Sequence, residues 1–214
     1  MDRLTKEEAQ AYRKRLSSWL TLDEADELMA EIGDRAQLFA ASQGALQFWR
    51  EAWCGMSCAQ LMHAHRIRLG EDPPDFWLDF GNKKQAFEIV QVQPADLRLG
   101  DVFDRYATSV NAGRPVEIVK RSAEQIALDT SDLPADIDRQ VRAKCAKRYD
   151  RDTILVVEIM HEVTLEADTP LVRTLIPICA PALRSFEEIW LRRGNAILRV
   201  SRHSASLTTM AARR

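Results

Sequence analysis

The sequence predicts an α/β fold in which a mixed central sheet is flanked by helices and follows an N-terminal helical extension. The segment 153–159 is a mostly apolar run rich in β-branched residues, which is typical of a strand buried on both faces. The segments 75–92 and 188–200 each hold two short apolar stretches separated by a turn containing Gly-Asn, as a tight hairpin requires. Helical apolar spacing surrounds these segments, so helices and strands alternate along the chain.

Length and composition narrow the class of protein. The 214 residues carry a net charge of −2 and can bury the core of one medium domain, which we divide into the extension 1–44 and the core 45–214. No apolar run is long enough to cross a bilayer, and the charged N-terminus is no secretory signal, so we expect a cytoplasmic protein. The four cysteines follow no disulfide framework or usual structural zinc pattern, which predicts reduced thiols.

Capping boxes predict the first two helices. One box at 5–8 opens the first helix, and a second at 21–24 opens a helix that we expect to break near Gly33. A longer helix is expected between Gly44 and Gly70, because Trp, Met and Leu recur there at mostly helical spacing.

The patterns are weaker in the second half of the chain. Pro134, followed by Asp136 and Asp138, predicts the first turn of a helix over about 135–149. The other expectations are a helical turn at 102–106, a short strand at 116–119, a polar loop around 130–132, a helix over 174–183 and a polar, frayed tail from residue 201.

The first hairpin places carboxylates where they could meet. Side chains alternate along a strand, so Asp75, Trp77 and Asp79 share one face of the first strand. Glu88 lies in an apolar stretch of the second strand, where burying a carboxylate is costly unless another group pairs with it. Asp75 and Glu88 could therefore meet on one face of the two strands and share a divalent cation.

Each of these carboxylates also has a structural interpretation. Asp75 follows two prolines and could cap a turn, whereas Glu88 could be solvated on an edge strand. Glu51 could be an ordinary solvated helix charge, and Asp79 could serve the turn before Gly81 rather than act as a reserve ligand. His161 follows the buried strand and could be a general base, although a lone His more often forms hydrogen bonds at a strand end.

Two segments are locally basic despite the acidic balance of the chain. Six arginines and no acid follow residue 189, and the segment 139–149 carries five basic residues and no acid. These segments could contact the phosphates of a nucleic acid, or they could be solvated protein faces.

These residues together resemble a known superfamily. The chain has Pro74-Asp75, Glu88 on the next strand, and a basic helix at 137–149 that runs into the buried strand at 153–159. This order of features is similar to that of the PD-(D/E)XK nucleases. The resemblance covers about residues 45–160. It implies a restriction-endonuclease-like sheet, DNA as the partner, Mg²⁺ as the cofactor (Mn²⁺ may substitute), and a possible homodimer, since nucleases that cut both strands often pair.

The resemblance assigns the metal ligands. Asp75 and Glu88 would bind Mg²⁺, and Glu51, on the preceding helix, would be a third carboxylate. A hard cation prefers such oxygen ligands, neutralises charge that develops on a phosphate, and lowers the pKa of an attacking water.

The chain departs from the superfamily at the usual lysine. That lysine lies two residues after the Glu, and this position is Val90. Gln91 is the next residue, but it should point to the opposite face unless a bulge turns it. Some branches are thought to supply the lysine from the following helix, where Lys144 borders the predicted apolar stripe. We expect Lys144 to take this role, with Lys147 as the second choice.

The resulting hypothesis is a metal-dependent DNA endonuclease-like protein that hydrolyses phosphodiester bonds through Asp75, Glu88, Lys144, Gln91 and Glu51. The alternative is a catalytically inactive nucleic-acid or protein-binding module of the same fold, which the valine at position 90 motivates. A small-molecule enzyme is a weaker third hypothesis, because no glycine-rich phosphate loop, nucleophile elbow or His-Glu-x-x-His pattern is present.

Overall fold

The computed structural model describes residues 4–36, 47–97, 99–115 and 120–209. Within these ranges the chain forms six α-helices and one eight-stranded mixed sheet, which confirms the α/β class. The helices are α1 Lys6–Leu16, α2 Leu22–Ala36, α3 Gln47–Leu61, α4 Leu99–Asn111, α5 Ala123–Cys145 and α6 Pro170–Cys179. The strands are β1 Leu20–Thr21, β2 Arg66–Leu69, β3 Phe76–Asp79, β4 Lys84–Val92, β5 Ile154–Ile159, β6 Ile189–Arg193, β7 Ala196–Val200 and β8 Ala205–Thr209.

The strands lie in the sheet in the order in which they occur in the chain. β4, β5 and β6 pair in parallel, and every other neighbouring pair is antiparallel. β5 is the strand predicted at 153–159, and all six of its residues are buried. The prediction of a central strand covered on both faces is therefore confirmed.

Helices cover both faces of the sheet. Ile154 and Val156 point into an apolar cluster that includes α1, α2 and α3, whereas Leu155 and Val157 point into a second cluster with α5 and α6. Successive β5 side chains thus supply two separate cores, as the two-residue period of a strand requires. Among the described helices none is both long and apolar enough to cross a membrane.

Both N-terminal capping boxes are present. Thr5 and Glu8 cap α1 reciprocally, and Thr21 and Glu24 do the same at the start of α2. The break expected at Gly33 is wrong, because α2 continues to Ala36. A single glycine costs a helix only about 1 kcal/mol, and the fully buried Ile32 beside it holds this turn against the core. The boundary expected at residue 44 lies outside the described residues.

The helix expected between Gly44 and Gly70 is confirmed as α3. α3 stops at Leu61, and His63 takes a positive φ of 57° that turns the chain into β2. The sequence patterns did not reveal β2, because its four residues offer too short an alternation to stand out from the preceding helix.

The prediction for the start of α5 is wrong. The helix begins at Ala123, where Ser122 and Gln125 form a capping box, so the polar loop expected at 130–132 is helical. Pro134 lies inside the helix instead of opening it. Burial of Leu133 against the sheet maintains the helix through this point, so tertiary packing outweighs the local proline signal.

The C-terminal hairpin is confirmed, but the frayed tail expected from residue 201 is wrong for Ala205–Thr209, which forms β8, whereas 210–214 lie outside the described residues. β6 and β7 pair around Gly194, which has a positive φ of 54°. The backbone N–H of Ser201 then donates to the carbonyl of Ser204 across a turn, and the chain returns as β8 to pair with β7. The helical turn expected at 102–106 is part of α4, and the strand expected at 116–119 lies outside the described residues.

A helix is present where one was expected over 174–183, with shifted bounds. α6 begins earlier, at Pro170, with Thr169 as its N-cap, and it ends at Cys179. A 3-10 helix over Ala180–Arg184 completes the stretch before β6.

Candidate metal centre

The candidate site lies where β3 and β4 separate. Their pairing ends at Phe76 and Phe87, and just beyond it the N–H of Asp75 donates to the carbonyl of Phe87. The carboxylate of Asp75 then accepts the backbone N–H of Ile89 at 2.6 Å, in the place that a strand partner would occupy. From Glu88 onward this edge of β4 has no strand partner among the described residues, and it forms one wall of a cavity.

The cavity has a volume of about 340 Å³ and gathers the five residues to which the sequence analysis assigned the chemistry, Glu51, Asp75, Glu88, Gln91 and Lys144. Its walls come from α3, the segment before β3, the free edge of β4, and the end of α5. The lining residues are Gln47, Arg50, Glu51, Cys54, Asp72, Asp75, Glu88, Ile89, Val90, Gln91, Lys144 and Lys147. The sequence analysis did not identify Asp72 and Arg50 as site residues.

Three carboxylates form the acidic part of this cavity. One oxygen from each of Asp72, Asp75 and Glu88 lies within 4.8 Å of the others, a spacing that a single metal ion can bridge. Three like charges this close repel one another unless protons or a cation offset them. An all-oxygen set of this kind suits a hard cation such as Mg²⁺.

The two oxygens of Glu88 differ in their surroundings. Oε1 accepts hydrogen bonds from Lys144 Nζ at 2.5 Å and from the hydroxyl of Tyr149 at 3.1 Å. Oε2 is buried, and within the described part of the chain it has no hydrogen-bond partner. Because a buried acceptor without a partner is costly, this oxygen is a candidate for binding a ligand that the protein atoms do not supply.

Lys144 reaches Glu88 from a helix on the same face of the sheet, although 56 residues separate the two in the chain. α5 packs on the face of β4 that carries Glu88 and Val90, and this packing places Nζ beside the carboxylate. Val90, at the usual lysine position, also lines the cavity.

Two acids of the cavity, Asp75 and Glu51, have raised pKa values. Burial, followed by the negative charge of Glu88, raises the pKa of Asp75 to about 7. Burial also raises the pKa of Glu51. Burial and the charge of Glu88 raise the pKa of Tyr149, so its hydroxyl remains a neutral donor at physiological pH. Near neutrality Asp75 is therefore divided between its protonated and ionised forms, and a bound cation would favour the ionised form.

Glu51 and Asp72 differ in their distance from the other acids. Glu51 projects from α3 and accepts a hydrogen bond from Gln47 Nε2 at 3.0 Å, and it lies outside the cluster of three acids. Asp72 is a member of that cluster. A close turn brings it there, since the N–H of Gly70 donates to the carbonyl of Asp75, and a Cβ at Gly70 would overlap the carbonyl oxygen of Pro74.

Gln91 lines the cavity from a different direction than Glu88. The pairing of β4 with β5 is regular through Val92, so Gln91 is directly beside Glu158, whose side chain contacts Cys54 of α3. Glu88 faces α5 instead. Both residues reach the cavity because it extends around the free edge of β4.

Two further candidates, Asp79 and His161, do not line the cavity. Asp79 accepts hydrogen bonds from Arg66 and from the N–H of Gly81, which is the turn role that its sequence position suggested. His161 is fully buried, with Nε2 at 3.3 Å from Asp136, and it is absent from the cavity lining.

Many of the basic residues expected to contact phosphates form ion pairs within the protein. On α5, Arg139 and Arg142 pair with aspartates of the same helix. At the C-terminal end, Arg192 pairs with buried Glu158, and Arg199 pairs with Glu188.

Comparisons of the chain with protein-family models, curated proteins and solved structures return no significant match.

Proposed function

We propose that this chain is a metal-dependent nuclease that hydrolyses phosphodiester bonds in DNA, with Mg²⁺ or Mn²⁺ held by Asp72, Asp75 and Glu88. One observation carries the proposal: three carboxylates within 4.8 Å of one another surround a cavity in which a buried Glu88 oxygen has no described protein partner. Lys144 lies against the second oxygen of Glu88, as expected of a lysine supplied from the helix.

The chemistry assigns a role to each group. A bound divalent cation would neutralise charge that develops on the phosphate and lower the pKa of an attacking water. Ile89 N–H holds the Asp75 carboxylate, and Tyr149 together with Lys144 holds that of Glu88, so the oxygens are oriented in advance. The ammonium group of Lys144 would orient the nucleophile and offset negative charge at the phosphate.

The restriction-endonuclease-like architecture is part of this proposal. The mixed sheet supports it, as do the two carboxylates on neighbouring strands and the helix α5 that leads into the buried strand β5. A homodimer and a cytoplasmic location stay predictions.

A plasmid-nicking assay with Mg²⁺ or Mn²⁺ tests the function. We expect the wild type to nick DNA and Glu88→Gln to lose roughly 100-fold or more in rate, because a neutral amide removes the charge that binds the cation. Glu162→Gln changes an exposed glutamate and is the matched control. Wild-type cleavage that persists in Glu88→Gln, with both proteins folded, would contradict the assignment.

The inactive binding module is the second candidate, and Val90 at the lysine position favours it. Thermal unfolding with and without Mn²⁺ separates the two, since a ligand stabilises only the state that binds it. The nuclease proposal predicts a Mn²⁺-dependent rise in the Tm of the wild type that Asp75→Asn abolishes. No rise, together with no nicking, would favour the inactive module.

A further inference from the structure

Two tryptophans and three cations lie together on one face of β2–β4 and just before β1. This Trp–Arg patch consists of Trp19, Trp77, Arg66, Arg68 and Lys84. Arg68 contacts both rings, with Cζ at 5.2 Å from the ring centroid of Trp19 and 5.4 Å from that of Trp77. Arg66 and Lys84 approach the ring of Trp19 at 5.7 and 5.3 Å.

The charges of the Trp–Arg patch are not balanced. Asp79 pairs with Arg66 at 2.5 Å, but in the described part of the chain neither Arg68 nor Lys84 has an ion-pair partner. Arg68 Nε is buried there without a hydrogen-bond acceptor. Three cations around one ring repel one another, and an anion that contacts them would reduce this repulsion and supply the missing acceptor. The electrostatics therefore point to an anionic ligand.

The Trp–Arg patch is continuous with the acidic cluster. Trp77 lies directly opposite Ala86, which shares one face of β4 with Lys84 and Glu88. With a rise of roughly 3.3 Å per residue, Ala86 lies about 7 Å and Lys84 about 13 Å from Glu88 along the strand. A strand whose phosphates contact Lys84 and Arg68 would therefore lie on the face of the sheet that carries the acidic cluster.

We infer that the Trp–Arg patch binds a single-stranded segment of DNA next to the site of cleavage. Its bases stack on the two tryptophans, and its phosphates contact Arg68 and Lys84. Aromatic rings offer sequence-independent stacking to unpaired bases, whereas the bases of a duplex are already stacked on one another. The inference rests on the proposed function for the identity of the substrate, but binding can be measured without cleavage.

Fluorescence anisotropy in EDTA tests the cationic half of the inference. The ligand is a labelled oligo(dT) of about 20 nucleotides, compared with a duplex of equal length. We expect oligo(dT) to bind more tightly than the duplex, and Arg68→Gln/Lys84→Gln to weaken that binding by roughly tenfold or more. Lys83→Gln is the matched control, because Lys83 is adjacent in sequence and pairs instead with Glu187.

A second ligand tests the aromatic half. An abasic strand of the same length keeps the phosphates but lacks bases, so Trp77→Leu should weaken binding of oligo(dT) roughly fivefold or more while changing that of the abasic strand little. Trp77→Phe keeps an aromatic ring and should retain most of the affinity, which gives a usable variant if Trp77→Leu does not fold. Thermal unfolding verifies the fold of each variant.

The outcomes separate this inference from the nuclease proposal. The wild type should nick DNA with Mg²⁺ or Mn²⁺, and its binding of oligo(dT) in EDTA should depend on Arg68, Lys84 and Trp77 whether or not nicking is observed. DNA binding that depends on the Trp–Arg patch, without any nicking, would overturn the proposed function and keep the inference. The inference is overturned if the duplex binds more tightly, if the double substitution leaves affinity unchanged, or if abasic and oligo(dT) strands bind equally.

Discussion

The carboxyl group of Asp75 lies between Glu88 and the backbone N–H of Ile89, in a partly buried position. Its raised pKa means that the folded protein keeps a proton there which the unfolded chain releases near its ordinary pKa of 3.8. This bound proton stabilises the folded state fully at pH values below 3.8. The stabilisation is lost as the pH rises through the folded-state pKa of about 7.

Asp75→Asn should therefore be more stable than the wild type at neutral pH, and about equally stable near pH 4. The amide oxygen still accepts the N–H of Ile89, so the hydrogen bond is kept. We expect the difference in Tm between Asp75→Asn and the wild type to grow between about pH 4 and pH 7 and then to level off. Each kcal/mol of stability difference should appear as roughly 2–4 °C in Tm. Thermal unfolding in metal-free buffer measures it. A difference that does not vary with pH would contradict the raised pKa.

At the scale of secondary structure elements, β5 and β6 are joined by a buried ion pair. Glu158 of β5 accepts hydrogen bonds from Arg192 of β6, whose guanidinium also lies over the ring of Trp53 at 4.9 Å. Both charged residues are almost completely buried, so each depends on the other for its electrostatic stabilisation.

Arg192→Met should lower the free energy of unfolding by about 3–5 kcal/mol, because it leaves the charge of Glu158 buried without its partner. The double variant Arg192→Met/Glu158→Leu should recover most of that loss. Urea unfolding of the two single variants and the double variant measures the coupling. If the two single losses simply add in the double variant, the ion pair is not the cause of the loss.

The elements that local patterns specify were predicted well. Alternation along one strand pair brought Asp75 and Glu88 together, since their contact depends only on the pairing of adjacent strands. The expected approach of Lys144 depended on the apolar stripe of α5, which packs on the sheet as predicted. These relations follow from strand and helix periods, which a single sequence contains.

Other parts of the fold depended on contacts that the sequence does not display. β8 is a polar strand, which forms because the turn at 201–204 returns the chain to β7. Asp72 reaches the acidic cluster because Gly70 and Pro74 approach closely, and no periodic pattern encodes this turn. Pro134 was misinterpreted because the packing of α5 outweighs its local preference.

At the scale of the whole molecule, the N-terminal helices and the sheet share one core. Leu16 of α1 and Ile32 of α2 belong to the same buried cluster as Phe76 and Trp190. This arrangement predicts that the helical extension and the sheet unfold together, since neither can lose the contact without exposing apolar surface.

Ile32→Ala should lower the free energy of unfolding by about 2–5 kcal/mol, because it leaves a cavity in that core. Far-UV circular dichroism and tryptophan fluorescence should report one transition with the same midpoint. Leu128→Ala is the control, because Leu128 is exposed and its loss should cost less than about 0.5 kcal/mol. Two separate transitions would show that the extension unfolds independently.

The agreement between strand order in the sheet and strand order in the chain bears on how the protein emerges from the ribosome. Each new strand finds one partner already synthesised, but its other edge stays unpaired until the next strand is made. The two parallel pairings are slower to form, because a helix must cross the sheet before each of them. The longest exposure of an unpaired edge during synthesis therefore falls on β4, the strand that carries Glu88.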